Sequence, residues 1–241
     1  MDSGRKEIEL YGGGAVVRDC PEDRTRIVVH YTDDITAFSL IKRATIAGKG
    51  MVNNEISSFL LERLNAAGIR TYFLRKLSVD SQLCLKTEPI PLEVVVRNVI
   101  AGSLADRLGL EEGIHPANVI YDLSYKNDML GDPLINDHHA VALGLVSYDE
   151  LKEIYGCAAR VNGVLKDVFL KGDIELVDFK VEFGRLPDGT IILAEGITPD
   201  NSRLWDLRTK EKLDKDRFRR DLGKVGDAYR TVYQRLVEEN A

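Results

Sequence analysis

The sequence predicts an α+β fold of two lobes, with antiparallel sheets and flanking helices. From Val177 to Phe183 apolar and charged residues alternate with a period of two, Pro187-Asp188-Gly189-Thr190 supplies a turn, and Ile191 to Glu195 answers as a second strand. Apolar residues recur at helical spacing from Asn53 to Ala67 and again after Ser147. Strands, hairpins and helices follow one another without a regular βαβ rhythm, which argues against a parallel sheet. With 241 residues the chain can bury a sizeable core as one large domain or two closely packed lobes.

Taken in order, Glu7 to Tyr11 reads as a strand, Gly12-Gly13-Gly14 as a tight turn, and Arg26 to Tyr31 as a firmer strand. The helix over 53–67 places Ile56, Phe59, Leu60 and Leu64 on one face and ends at Gly68. Strands follow at Thr71–Leu77 and Gln82–Lys86. Pro89 and Pro91 then punctuate the chain, so the lobes are expected to divide into residues 1–88 and 89–241. Leu92 to Val99 is a β-branched run, and Ala101-Gly102-Ser103 opens a short helix. Val119 to Tyr125 reads as another strand. Ser147 and Glu150 form a capping box for a long helix that buries Leu151, Ile154, Tyr155, Ala158, Val161, Leu165 and Val168. The tail from Asp216 to Glu239 is expected to be helical.

Composition excludes several classes. Charged residues make up 30% and hydrophobic residues 44%, ordinary for a globular protein, and the net charge of -6 argues against non-specific nucleic-acid binding. Cys20, Cys84 and Cys157 are far apart and lack metal-ligand spacing, so they read as reduced thiols. No apolar run reaches membrane-spanning length and the start lacks a signal-peptide core. A cytoplasmic enzyme of small molecules is the expectation, with no nucleic-acid or membrane partner and homo-oligomerisation left open.

Four segments carry candidate chemistry. Asp178, Lys180 and Glu182 share one face of the first hairpin strand, and a two-residue turn at Asp188-Gly189 sets Glu195 directly opposite Glu182. Two facing carboxylates repel, so a cation is expected between them, a phosphate-bound divalent metal being the economical candidate. The competing reading is a half-solvated hairpin. Gly12-Gly13-Gly14 could approach phosphate with backbone N–H groups, yet it matches no phosphate-loop motif and three glycines also make an ordinary hairpin turn. Arg97 at a strand end, followed by Gly102-Ser103 at a helix start, suits a monophosphate. Arg203, in a loop leaving the hairpin, could reach the same anion or simply pair with Asp206. The adjacent His138-His139 reads as surface or capping residues, since neighbours in sequence do not face one way.

Together these segments resemble the phosphoribosylaminoimidazole-succinocarboxamide (SAICAR) synthetase family. The resemblance rests on Thr32-Asp33-Asp34-Ile35-Thr36-Ala37-Phe38, on Gly48 to Asn54, and on Pro91 to Asn98 with Gly102-Ser103. It continues through Lys126-Asn127-Asp128 with Asp132-Pro133, Val177 to Gly184, Thr198-Pro199-Asp200, Ser202 to Asp206, and Asp214 to Leu222. It implies an ATP-grasp-like fold with ATP between the lobes. It also implies amide formation between L-aspartate and the carboxylate of 5-amino-1-(5-phosphoribosyl)imidazole-4-carboxylate (CAIR), with ATP and Mg²⁺. By the same resemblance Lys180 and Asp178 lie at the reacting carboxylate and ribose, and Arg97, Ser103 and Arg203 hold the substrate phosphate. Asp200 and Lys126 fall in the substrate site, Gly12, Gly13, Gly14 and Lys86 at ATP, and Glu182 and Glu195 at the metal.

Three departures fall on the ATP and metal side. Gly14 and Val16 stand where the family's phosphate-contacting lysines are expected, Ser39-Leu40-Ile41 replaces Asn-Gly-Glu, and Glu195-Gly196 replaces Asp-Glu. The resemblance thus implies either a SAICAR-forming ligase, a paralogue acting on a related azole nucleotide carboxylate, or a nucleotide-binding protein with weakened catalysis.

Overall fold

The computed structural model describes residues 8–10, 14–37 and 41–238. The expected contacts of Gly12 and Gly13 lie outside these residues. Two antiparallel sheets organise the chain. The first has the order β1-β2-β3-β7-β6, from Ile8–Leu10 (β1), Ala15–Asp19 (β2), Arg26–Tyr31 (β3), Phe73–Lys76 (β6) and Ser81–Leu85 (β7). A hairpin of Asp34–Ala37 (β4) and Lys42–Thr45 (β5) stands apart from it.

The helix α1 (Lys49–Ala66) starts four residues earlier than its periodicity suggests. The Asp33 carboxylate accepts from the N–H groups of Gly48 (3.0 Å) and Gly50 (2.9 Å), so it satisfies the orphan donors of the first turn from another element. That cap is invisible to local pattern. At the other end Gly68 takes φ +76° and Ile69 N–H returns to Leu64 O (3.0 Å), closing the helix as expected.

The second sheet has the order β10-β9-β8-β11-β12, with β13 also on β11. Its strands are Glu88–Arg97 (β8), Ile120–Tyr125 (β9), Leu134–Ile135 (β10), Ile174–Arg185 (β11), Ile191–Leu193 (β12) and Ser202–Asp206 (β13). Pro89 lies inside β8, but beyond its last rung with β9 (Leu92↔Tyr125) and opposite Gly184, where the β8–β11 register shifts, so little ladder bonding is lost.

Short helices α2 (Ser103–Leu108) and α3 (Asp137–Ala142) flank this sheet, and α4 (Tyr148–Lys171) packs on it behind the capping box of Ser147 and Glu150. His139 belongs to a second capping box with Asn136, and His138 Nδ1 meets the Tyr148 hydroxyl at 2.6 Å. The tail is two helices rather than one, α5 (Asp216–Arg219) and α6 (Val225–Leu236). Asp221, Gly223 and Lys224 all take positive φ between them, a turn no continuous helix can hold. One apolar core runs through both sheets, from Ala15 and Val29 to Val181, Tyr229 and Leu236. Among the described residues no helix is long and apolar enough to cross a membrane.

The hairpin differs from expectation in two respects. Leu186 N–H donates to Thr190 O (2.9 Å) and Gly189 takes φ +83°, so three residues, not two, form the loop. Glu182 therefore faces Ala194, whose N–H donates to the Glu182 carbonyl, and Glu195 follows the end of β12. Along β11 a bulge between Leu176 and Asp178 also shifts the alternation: Phe179, Val181 and Phe183 enter the main core, while Val177 packs with Val99, Ala101 and Trp205.

Candidate active site

Strand β11 lays the site out in rows. Its register with β8 sets Asp178 opposite Arg97, Lys180 opposite Val95, and Glu182 opposite Glu93. Across the other edge Asp178 also faces Arg203 of β13. Arg203 thus sits on a strand, not on the loop expected of it, and its partners are Asp178 and Asp216, while Asp206 pairs with Arg235. Rows two residues apart on one face are separated by roughly 7 Å, so the Asp178 row and the Glu182 row stand about 13 Å apart.

At the first row carboxylates and guanidiniums alternate. Arg97 Nε donates to Asp122 (2.7 Å) and Nη1 to Asp178 (3.0 Å); Arg203 Nη1 donates to Asp178 (2.9 Å) and Nε to Asp216 (3.0 Å); Arg219 Nη1 donates to the other Asp216 oxygen (2.6 Å). Burial works against the Arg203 charge, but Asp178 and Asp216 outweigh it and raise its pKa. Ser103 is the first helical residue of α2, not its cap, and its hydroxyl receives Arg97 Nη2 at 3.4 Å. Gly102, with φ +54°, has to be glycine, because a Cβ there would overlap the Arg203 guanidinium.

A cavity of about 220 Å³ opens onto this row, and Arg97, Ser103, Asp178, Lys180, Asp200 and Arg203 all line it. Six residues singled out in the sequence therefore converge. Asp200 lines the cavity with its carboxylate already held by Lys49 (2.8 Å), Asn53 (2.7 Å) and Tyr229 (2.8 Å).

At the far row three carboxylates surround two lysines. Lys180 Nζ lies 2.8 Å from Glu93, 2.5 Å from Glu182 and 3.1 Å from Glu195, and Lys126 bonds Glu182. The cation expected between Glu182 and Glu195 is thus the Lys180 ammonium. Lys126, expected in the substrate site, stands in this row. Burial opposes the charge on Lys180, yet Glu195, Glu182 and Glu93 raise its pKa well above the usual range. Burial opposes ionisation of Glu182 too, and Lys180 with Lys126 prevails, holding it below the usual range. Glu195 is pushed up to about 7 by burial, with Glu182 adding to it against the pull of Lys180. Its Oε2 is buried without a hydrogen-bond partner. Among the described residues no group of three or more His, Cys, Asp or Glu is arranged to hold a metal by itself.

Lys86 is not brought to this site. It pairs with Asp19 (2.6 Å), and both side chains are exposed. Gly14 caps the end of β3, its carbonyl accepting from Thr32 N–H (2.6 Å). Sequence reasoning missed Glu93, Asp122, Asp216 and Arg219. The alternation in Leu92-Glu93-Val94-Val95-Val96-Arg97 already places Glu93 on the face of Arg97, so that one signal was available.

The chain as a whole is similar to known proteins. The model of the SAICAR synthetase family matches residues 14–236. A phosphoribosylaminoimidazole-succinocarboxamide synthase of Fusobacterium nucleatum subsp. nucleatum is 52% identical over 230 residues, covering 95% of this chain and 97% of that protein. Among solved structures, the synthase of Ehrlichia chaffeensis superposes with a TM-score of 0.92 at 38% identity, over 96% of this chain and 98% of its own. A SAICAR synthetase solved in complex with ADP also gives 0.92, at 43% identity over 97% and 98% of the two chains. With a family-model match over residues 14–236 and relatives about half identical over nearly the whole length, the chain belongs to the SAICAR synthetase family.

Proposed function

We propose that this chain is an ATP-dependent ligase that joins L-aspartate to the carboxylate of CAIR, giving SAICAR. One observation carries the reading: a phosphate-suited row (Arg97, Ser103, Arg203) and a lysine–carboxylate row (Lys180, Glu182, Glu195) lie along one strand roughly 13 Å apart, facing one side. An azole ribonucleotide carries its phosphate and its ring carboxylate at opposite ends, and the two rows take one end each.

The azole carboxylate attacks the terminal phosphorus of ATP, the bond to the bridging oxygen breaks, and ADP leaves with that electron pair. The aspartate amine then attacks the acyl carbon, loses a proton, and inorganic phosphate departs. Lys180 offsets charge on the carboxylate and the transferring phosphoryl group. Asp178 holds the two phosphate-row arginines in place and is directed to the ribose.

Mg²⁺ fits the second row. The donors are hard carboxylate oxygens, and while Lys180 takes Oε1 of Glu195, the buried Oε2 has no hydrogen-bond partner and is open to an ion beside the ammonium. Glu182 and Glu195 would hold the ion, which would supply neutralisation of phosphate charge. ATP is assigned to residues 1–88, around Gly12, Gly13, Gly14 and Lys86, and the azole and metal to residues 89–241.

The test is ADP release from Mg²⁺-ATP by the purified protein with CAIR, with and without L-aspartate. Stoichiometric ADP and SAICAR with all three substrates is expected. ADP release that ignores CAIR would sink the reading.

A further inference from the structure

The segment that carries Glu195 is clamped on both sides. Asn201 Nδ2 donates to the Gly196 carbonyl (2.7 Å), and the Asn201 side-chain oxygen accepts from Thr198 N–H (2.9 Å). On the opposite side Tyr31, the last residue of β3 and only 5% exposed, donates its hydroxyl to Ser57 Oγ of α1 (2.9 Å). That hydroxyl occupies the place a side chain at 196 would need. A Cβ on Gly196 would collide with it and would approach Ser57 Oγ to 2.7 Å. The glycine here does not serve a positive φ; its lack of a side chain admits the tyrosine.

Neighbouring bonds fix the relation between the elements. Thr71 bridges Leu193 in parallel, and Tyr72 N–H donates to Leu193 O (2.8 Å), so residues 71–72 extend the outer edge of β12 two residues before Glu195. Tyr31 and Ser57 meet the same segment three residues on, at Gly196. Glu195 projects from the residue between these two fixed points, toward Lys180.

We propose that Tyr31 is a positioning residue for Glu195, its hydroxyl packing into the space left by Gly196 and fixing the Glu195 carboxylate relative to the first sheet. This rests on the assignment of Glu195 to the metal. The Tyr31 hydroxyl is buried against Ser57 and Gly196, so its effect passes through the backbone at 196. Groups that orient a metal ligand without touching the metal typically change affinity ten- to a hundred-fold when lost.

The experiment is a double-mutant cycle with Gly196→Ala, Tyr31→Phe and the pair together. Mn²⁺ affinity is measured by electron paramagnetic resonance with ADP present, alongside the KM for CAIR and urea unfolding of the ligand-free protein. Gly196→Ala should weaken Mn²⁺ binding about ten-fold or more, and Tyr31→Phe a few-fold, with the CAIR KM within about two-fold of the parent in both. In the double variant the alanine methyl takes the vacated hydroxyl site and Ser57 is free to rotate. It should therefore bind Mn²⁺ more tightly, and unfold at higher urea, than Gly196→Ala alone. Additive losses would overturn the proposal, as would unchanged Mn²⁺ affinity in Gly196→Ala. A CAIR KM that rises in step with the metal constant would reduce Tyr31 to general structure and overturn it too. If the parent protein itself binds no Mn²⁺ with ADP, the metal assignment fails first, and this inference with it.

Discussion

At the scale of single residues, the carboxylates that flank the arginines decide what a substitution reports. Arg97 and Arg203 share Asp178, and each has a further carboxylate of its own, Asp122 or Asp216. Arg203→Ala and Arg97→Ala should each raise the KM for CAIR at least ten-fold while changing that for ATP little, because an arginine–phosphate pair is charge-assisted and often bidentate. Equal effects on both substrates would place the arginines at the wrong ligand. Each variant should also lose about 1–3 kcal/mol of stability, since buried carboxylates lose one charged hydrogen bond each while Asp178 keeps the other arginine, Asp122 keeps Arg107 and Asp216 keeps Arg219; urea midpoints measure this. Arg97, Asp178, Lys180 and Arg203 were legible because they sit in strings of unusual pattern. Asp122 and Asp216 were not, because Asp122 becomes a partner only when β9 pairs with β8, and Asp216 only when α5 meets β13.

At the scale of elements, local pattern located the long helices and the longer strands but missed β2, the β4–β5 hairpin, β10, β13 and α3, and it did not fix the joints. The hairpin register turned on one residue: a two-residue loop and a three-residue loop both satisfy Pro187-Asp188-Gly189, and only the pairing of Leu186 with Thr190 distinguishes them. The turn before β2 shows a related limit. Gly14 takes φ +60°, and a Cβ there would overlap Asp34 O and come within 2.5 Å of Lys49 Nζ, so no lysine fits this backbone at 14. Gly14→Ala should cost about 1–3 kcal/mol, the strain of a side chain in the left-handed region, read as a lowered Tm. Val16 is different. It lies half-buried in β2 opposite His30, in a regular ladder that accepts any side chain. Val16→Lys should therefore tighten ATP binding about ten-fold, as expected for one added charged hydrogen bond, and the gain should shrink with salt. Titration calorimetry at two ionic strengths tests this. Of the candidate substitutes near in sequence, Lys42, Arg43 and Lys49, Lys42 is engaged with Phe218 O and Asp221 and Lys49 with Asp200. An unchanged Kd in Val16→Lys, with tight binding by the parent, would show a rearranged triphosphate site.

At the scale of the molecule, the α+β class was legible from alternation and helical spacing, whereas the way the two sheets are joined was not. Asp200 is the joint. It leaves the second sheet on the segment between β12 and β13 and is bonded by Lys49 and Asn53 of α1 and Tyr229 of α6, all of them buried. A Thr-Pro-Asp turn gives no hint of such partners, because they lie about 30 to 150 positions away in the chain. Burial opposes the charge on Asp200, but Lys49 and then Lys215 prevail and hold its pKa below the ordinary 3.8. A carboxylate depressed in this way contributes stability that is present above its unfolded pKa and lost as pH falls through the folded one. Lys49→Met removes the larger of these two cations and leaves a buried charge with two neutral donors and the more distant Lys215. At pH 7 the variant should lose about 3–5 kcal/mol against the parent. Without Lys49 the Asp200 pKa rises, so the carboxyl protonates earlier on acidification, and the deficit should narrow between pH 7 and pH 5 while the parent is still fully ionised at this site. Urea midpoints of both proteins at the two pH values measure it. A deficit that stays constant would mean that Lys49 acts through packing alone, and that the charge on Asp200 plays no part in joining the sheets.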